Sequence, residues 1–368
     1  MYTPLVLVPT GHDFRLLSRD SEEYVTIKPQ AYDALAQATE QNDILPLPVA
    51  RLAEQKWGLK LMGLNCKHVV HVRAPTRFHY ENASWELSLR CDYDCEHCYL
   101  GRKQTETLGM RRRDKILGAM SNLGIYRLQI TGGEPLIDRF FEESYLAAYS
   151  RGMLIRVSTN ASQLYRKQIL QLFVDYPPLH LAVSMYGSTA TSYEALTRAQ
   201  PGAFERFVLG IRAAAEAGIK MRINIIVTKH NEHEVTDMER LADSVGVEHV
   251  VYTRLTATYK GRGDVLKAQS NKVKPIKKRS AFADCEAGRS FFHVDPLGRA
   301  SICKIARDPY IRLNTDDISL LVPIADELLA RSDACKMCNM QSRCSTCPPM
   351  VADYRMAGAP REFFCQCS

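Results

Sequence analysis

Between Trp85 and Leu255 the chain repeats one rhythm: an apolar run of strand length, then a segment with apolar residues at helical spacing. "WELSL", "RLQIT", "MLIRVST", "LHLAVSM", "KMRINIIVT" and "EHVVYTRL" are the strand candidates. "RDKILGAMSNLG", "DRFFEESYLAAYSR", "SQLYRKQILQLFVD", "AFERFVLGIRAAAEAG" and "NEHEVTDMERLADSVG" are the helices between them. A strand followed by a helix-length crossover returns parallel to its predecessor, and such crossovers are right-handed. Six units over roughly 170 residues fall short of the eight of a closed barrel. The expected fold is therefore α/β, a partial (β/α)6 TIM-like barrel over residues 85–265.

In parallel sheets, chemistry gathers at the carboxyl ends of the strands. Four unusual loops fall there: "LRCDYDCEHCYLG" after the first strand, "TGGEP" after the second, "STNA" ending the third and "SMYG" ending the fourth. The first places Cys91, Cys95 and Cys98 at intervals of three and two residues, with no fourth cysteine nearby. A [4Fe–4S] cube normally takes four thiolates, so three leave one iron open to a small molecule. Zinc with three protein ligands and a water is the other reading, with Asp92, Asp94 or His97 as contributors.

CxxxCxxCY at Cys91–Tyr99 together with GGEP at Gly132–Pro135 resembles the radical S-adenosylmethionine (SAM) enzymes. The resemblance implies a [4Fe–4S] cluster whose open iron chelates SAM, and reductive cleavage to a 5′-deoxyadenosyl radical that abstracts a substrate hydrogen. On that reading Gly132 and Gly133 let the backbone approach the SAM ammonium without a Cβ. Glu134, followed by Pro135, would accept a charge-assisted bond from it. Tyr99 would lie beside the adenine, and Asn160, Ser184 and Arg198 are candidates for the ribose and carboxylate. Tyr186, Tyr252 and Asp264 are possible proton carriers. No catalytic acid or base is singled out.

Eight of the 12 cysteines lie beyond residue 265 in a loop-rich stretch. Taken alone, the CxxC pairs at Cys335, Cys338, Cys344 and Cys347 would suit a zinc knuckle. Cys285, Gly298 and Cys303 with that block also resemble the SPASM extension of radical SAM peptide-modifying enzymes. The resemblance implies two auxiliary [4Fe–4S] clusters over residues 266–368. By the family's crossed pattern, Cys285, Cys303 and Cys347 hold the first, and Cys335, Cys338, Cys344 and Cys365 the second. Cys367 rivals Cys365, the fourth ligand of the first cluster is unassigned, and Ser345–Thr346 give one residue fewer than the family's usual spacing. Cys66 has no partner motif and reads as a small core residue.

Residues 1–84 lack the barrel rhythm. "PLVLVP", "DFRLLS" and "EYVTIKP" read as short strands and "QAYDALAQAT" as a helix, a small α+β extension. It looks like the element that recognises leader peptides of ribosomally made peptides, or else it caps the barrel. The family implies a precursor-peptide substrate and a reducing partner such as a flavodoxin or ferredoxin. Sulfatase-maturase-like protein modification, cofactor biosynthesis on a small molecule, or a non-catalytic iron–sulfur carrier are the alternatives.

With 46% hydrophobic residues but no apolar run long enough to span a bilayer, no membrane partner is expected. The opening "MYTPLVLVPTGHDF" lacks a basic leader, so a cytoplasmic protein with reduced thiols is expected rather than a disulfide framework. The net charge of +7 is modest. Basic runs at Arg111–Lys115 and Lys272–Arg279 read as solvated faces, and no nucleic-acid partner is expected.

Overall fold

The computed structural model describes residues 2–11, 13–101, 106–258, 265–271, 285–331, 335, 337–338 and 344–365. Asp264, Cys367 and the run Lys272–Arg279 lie outside the described residues. The chain opens with β1 (Leu5–Pro9), β2 (Phe14–Ser18) and β3 (Tyr24–Ile27), then α1 (Pro29–Gln41), α2 (Leu47–Trp57), α3 (Cys66–Val69) and β4 (Val70–Val72). These strands form a sheet in the order β3-β2-β1-β4, antiparallel except for the β1–β4 pair. Alternation sorts its faces. Leu5, Leu7 and Leu16 join Tyr32 and Leu35 of α1 and the fully buried Cys66 in one core. Val6, Val8 and Leu17 face the other way.

The barrel follows: β5 (Asn82–Glu86), α4 (Met110–Asn122), β6 (Arg127–Thr131), α5 (Phe141–Tyr149), β7 (Leu154–Thr159), α6 (Lys167–Asp175), β8 (His180–Met185), α7 (Ala190–Thr197), α8 (Ala203–Glu216), β9 (Met221–Ile226), α9 (Val235–Val245) and β10 (Glu248–Tyr252). The six strands pair in parallel, in the order β10-β9-β8-β7-β6-β5, and the sheet is not closed. The first strand begins three residues earlier than "WELSL" suggests. Leu87 already leaves it, donating its N–H to Thr131. Sequence periodicity also passed over α7, whose start is marked by Thr189 accepting from the N–H of Ser192 at 3.3 Å.

The sheet does not stop at residue 265. β11 (Phe291–Val294) pairs in parallel with β5, and β12 (Arg299–Ser301) and β13 (Ile311–Arg312) extend it. Helices α10 (Leu321–Leu328) and α11 (Pro348–Met356) complete the described chain. Glu86 at the end of β5 is fully buried and receives both arms of Arg307, at 2.8 and 2.7 Å. Burial alone would raise its pKa, but the Arg307 and His293 contacts hold it down to about 2. The pair's stabilisation is therefore present above the ordinary carboxylate range and is lost as pH falls through about 2. In α4, the basic run Arg111–Lys115 is exposed except for Arg113, which forms a buried fork onto Asp138 at 2.7 and 2.8 Å.

The N-terminal sheet closes the amino end of the barrel. Val6, Val8 and Leu17 pack on Tyr126, Leu154 and Leu179, which stand where β6, β7 and β8 begin. Arg19, 2% exposed, donates to the carbonyls of Met153 and Tyr149 across the same joint. Each buried aliphatic side chain contributes about 1.5–3 kcal/mol, so removing the sheet strips an apolar floor. Deleting residues 1–75 should give aggregation or loss of cooperative thermal unfolding; a soluble truncation that melts cooperatively would contradict this placement. Replacing Arg307 by Met leaves the Glu86 charge buried and unpaired, which should cost about 3–5 kcal/mol in chemical denaturation. The double variant with Glu86→Gln should recover much of that loss.

Candidate active site

The three-cysteine loop is held by the turn that follows β6. Gly133 donates its N–H to Ser88 at 2.9 Å and Glu134 donates to Arg90 at 2.8 Å. A Cβ on Gly132 would lie 2.2 Å from the Ser88 carbonyl oxygen, and one on Gly133 2.1 Å from that of Arg90. Gly132 also has φ 137°, where an L side chain is strained. The glycine pair is thus demanded first by the backbone of the cysteine loop, a nearer cause than an approaching ligand. On its other flank the loop is tied to α7 through Asp94 N–H to Thr197 and Glu96 N–H to Leu196.

Glu134 is fully buried behind this turn. Its carboxylate accepts from Leu136 N–H at 3.0 Å, Thr159 Oγ1 at 2.7 Å and Asn160 N–H at 2.6 Å. Burial pushes its pKa up to about 8, with the Asn160 N–H pulling the other way. It braces the end of β6 against the end of β7, and Pro135 is buried with it. Asn160 passes the brace on, donating from Nδ2 to Asp92 at 2.9 Å and lying 3.7 Å from Cys91 Sγ.

One cavity of about 460 Å³ opens on this rim. Cys91, Cys95 and Cys98 line it together with Tyr99, Gly132 and Gly133, and so do Asn160 and Ser184. Glu134 and Pro135 lie behind the wall. Arg198 is not among the lining residues: as the left-handed cap of α7 it reaches Asp94 at 3.7 Å, with its side chain 58% exposed. Tyr186 and Tyr252 both line the cavity. Burial, and secondarily the nearby thiols of Cys95, Cys91 and Cys98, raise the Tyr186 phenol well above its ordinary range. His97 lines the cavity with its Nδ1 buried and unpartnered, and burial lowers its pKa to about 4. The sequence reading missed Arg222 and Asn224 on β9, Arg254 and Lys304, which complete the wall. A period-two signal was there: on β9 Arg222 and Asn224 alternate with the buried Met221, Ile223 and Ile225.

The donor set fits a cluster with an open iron. Three thiols on one loop, none of them in a disulfide, line one cavity, no fourth cysteine lines it among the described residues, and Cys91 Sγ accepts the Tyr93 N–H at 3.4 Å. Among the described residues no set of three His, Cys, Asp or Glu side chains is gathered for a single metal ion. Of the zinc contributors named from sequence, Asp92 is engaged by Asn160 and Asp94 by Arg198.

The C-terminal cysteines fall into two groups. The thiols of Cys303 and Cys285 are close enough to Cys347 to add to burial in pushing its pKa up to about 11. Cys335, Cys338, Cys344 and Cys365 line a separate cavity of about 960 Å³. Cys338 stands apart in being disulfide-bonded, so its thiolate becomes available only on reduction.

Residues 85–242 match the Radical SAM superfamily. The mycofactocin maturase MftC of Mycobacterium ulcerans (strain Agy99) is 26% identical over 254 residues, 61% of this chain and 68% of that protein. The AdoMet-dependent heme synthase of Methanosarcina barkeri (strain Fusaro / DSM 804) is 29% identical over 195 residues. That match covers 52% of this chain and spans only about half, 54%, of the synthase. Streptococcus suis SuiB bound to its precursor peptide SuiA shares the fold with a TM-score of 0.63 at 14% identity, over 100% of both chains. Residues 85–242 of this chain are thus a radical SAM domain, of a superfamily that binds a [4Fe–4S] cluster and SAM.

Proposed function

We propose that the protein is a SPASM-type radical SAM oxidoreductase that modifies a ribosomally made peptide by cross-linking, oxidation or epimerisation. The observation that carries the reading is the rim itself: Cys91, Cys95 and Cys98 and a glycine turn line one cavity. Its peptide half is supported by the likeness to MftC, a maturase by name, and by the N-terminal sheet, whose β3 has no strand on its outer edge among the described residues. An extended leader would add to such an edge through main-chain hydrogen bonds, with α1 as the neighbouring wall.

Bound at this rim, the cluster and SAM would supply one-electron reductive cleavage and hydrogen-abstraction chemistry. The chain's part is to hold and orient. Cys91, Cys95 and Cys98 would ligate three irons, and the Gly132–Gly133 backbone and Asn160 would border SAM. Tyr99 and Ser184 would contact its nucleoside. The grouping of Cys285, Cys303 and Cys347, and of Cys335, Cys338, Cys344 and Cys365, supports two auxiliary clusters that would take up an electron or hold substrate. A flavodoxin or ferredoxin would be the reductant. Small-molecule cofactor chemistry is the second reading, favoured by the heme-synthase relative.

Anaerobic incubation of the reconstituted protein with SAM, reductant and candidate precursor peptides, followed by mass spectrometry, separates the two readings. A mass change confined to one peptide, with 5′-deoxyadenosine formed in step, is the expected outcome. Modification of a tetrapyrrole with every peptide untouched would replace the peptide reading.

A further inference from the structure

The catalytic cavity has two unlike halves. The groups that would serve the cluster and SAM all come from the β5–β8 side: the cysteine loop, Gly132–Gly133, Asn160 and Ser184. The opposite wall belongs to β9 and β10, at the far end of the barrel strands. It holds Arg222 and Asn224, with Tyr252 and Arg254 at the rim. Lys304 enters from the C-terminal segment. Among the described residues no Asp or Glu lines this cavity, although three cations do.

Two of those cations have visible employment. Arg254 donates through Nη1 to the carbonyl of Phe363, and the Lys304 ammonium lies over the Tyr99 ring, 5.5 Å from its centroid. Arg222 differs. Its Nε is buried without a hydrogen-bond partner, and so is the Oδ1 of Asn224 two residues on. Strand periodicity puts both side chains on the lumen face, while Met221, Ile223 and Ile225 face the helices. Arg222 pairs across the sheet with Ala182, whose methyl group leaves the lumen open beside the guanidinium. Arg222 also borders the cavity at the barrel's amino end, which Asp20, Glu22 and Glu248 line as well.

A buried guanidinium nitrogen and a buried amide oxygen left unpaired are costly unless a ligand completes them. A guanidinium is matched best by a carboxylate, which takes two parallel N–H bonds, and an amide oxygen by an N–H donor. We infer that Arg222, with Asn224 above it, is a subsite for a carboxylate carried by the peptide substrate, the side chain of an Asp or Glu beside the residue that reacts, with Asn224 accepting a substrate backbone N–H. The inference rests on the peptide reading for the source of the carboxylate. It names what that peptide must carry: an acidic residue next to the site of modification.

The test needs no precursor peptide. Anaerobically reconstituted full-length protein with SAM bound is titrated calorimetrically with N-acetyl-glutamate N-methylamide and with the neutral glutamine counterpart. The acidic probe should bind at least tenfold more tightly, a difference of about 1.4 kcal/mol. Arg222→Gln should remove the difference, and Arg222→Lys, which keeps the charge without the fork, should keep part of it. Equal affinities on the unaltered protein would overturn the proposal whether or not any variant folds. So would a preference that persists in Arg222→Gln. A tenfold loss of SAM affinity in Arg222→Gln with the probe preference intact would also overturn it, because the guanidinium would then serve the cofactor. A protein that modifies no peptide by mass spectrometry yet prefers the acidic probe keeps the carboxylate subsite and loses only its peptide source.

Discussion

Two backbone hydrogen bonds, from Gly133 to Ser88 and from Glu134 to Arg90, set where the cysteine loop lies relative to the barrel. They form only because Gly132 and Gly133 carry no Cβ, since either methyl group would overlap a carbonyl oxygen of the loop. The buried Glu134 carboxylate then draws the end of β7 to the same point. Asn160 extends the link to Asp92 and to the neighbourhood of Cys91. The thiols, the glycine turn and the third strand end are therefore one mechanical unit. A change in any of them should be felt at the cluster site before it is felt in the fold.

The rest of the molecule closes the barrel around that unit. At the amino end, the N-terminal sheet uses one face for its own helices and the other for the barrel floor. The segment before β3 reaches the same floor, Glu22 binding Arg156 and lying 3.5 Å from His180. At the open edge beside β5, β11–β13 and the Glu86–Arg307 pair attach the C-terminal cysteine region directly to the strand that leads into the cysteine loop. Cys285 and Cys303, which flank β11 and β12, are thus carried at the edge of the strand that leads into the SAM-cluster cysteine loop.

Much of this was legible in the sequence where one residue type has one physical use. Six strand runs at regular intervals gave the partial barrel, because buried parallel strands read as apolar runs. The three thiols and the glycine pair marked the rim. Side-chain direction was less legible. Glu134 reads as a ligand group by its place in GGEP, and its hydrogen bonds to Thr159 and Asn160, which brace β6 against β7, have no local sequence signal. Arg198 reads as a candidate for the SAM ribose or carboxylate, and its place as the left-handed cap of α7, 3.7 Å from Asp94, has no local sequence signal. Lys304 and Arg254 reach the cavity from segments distant in sequence, and no local pattern announces that. The β9 pair was readable through strand alternation, but its wall could be assigned only once the strand order was known.

The central claim is that Cys91, Cys95 and Cys98 hold a cluster with one iron open to SAM. Electron paramagnetic resonance of the dithionite-reduced, reconstituted protein with and without SAM tests it most directly, read beside 5′-deoxyadenosine formation. The unaltered protein should show a SAM-dependent change in its cluster signal. A variant with all three cysteines replaced by alanine should lose that change and the product while retaining roughly eight irons, four for each auxiliary cube. A triple variant that still responds to SAM and still forms 5′-deoxyadenosine would contradict the account.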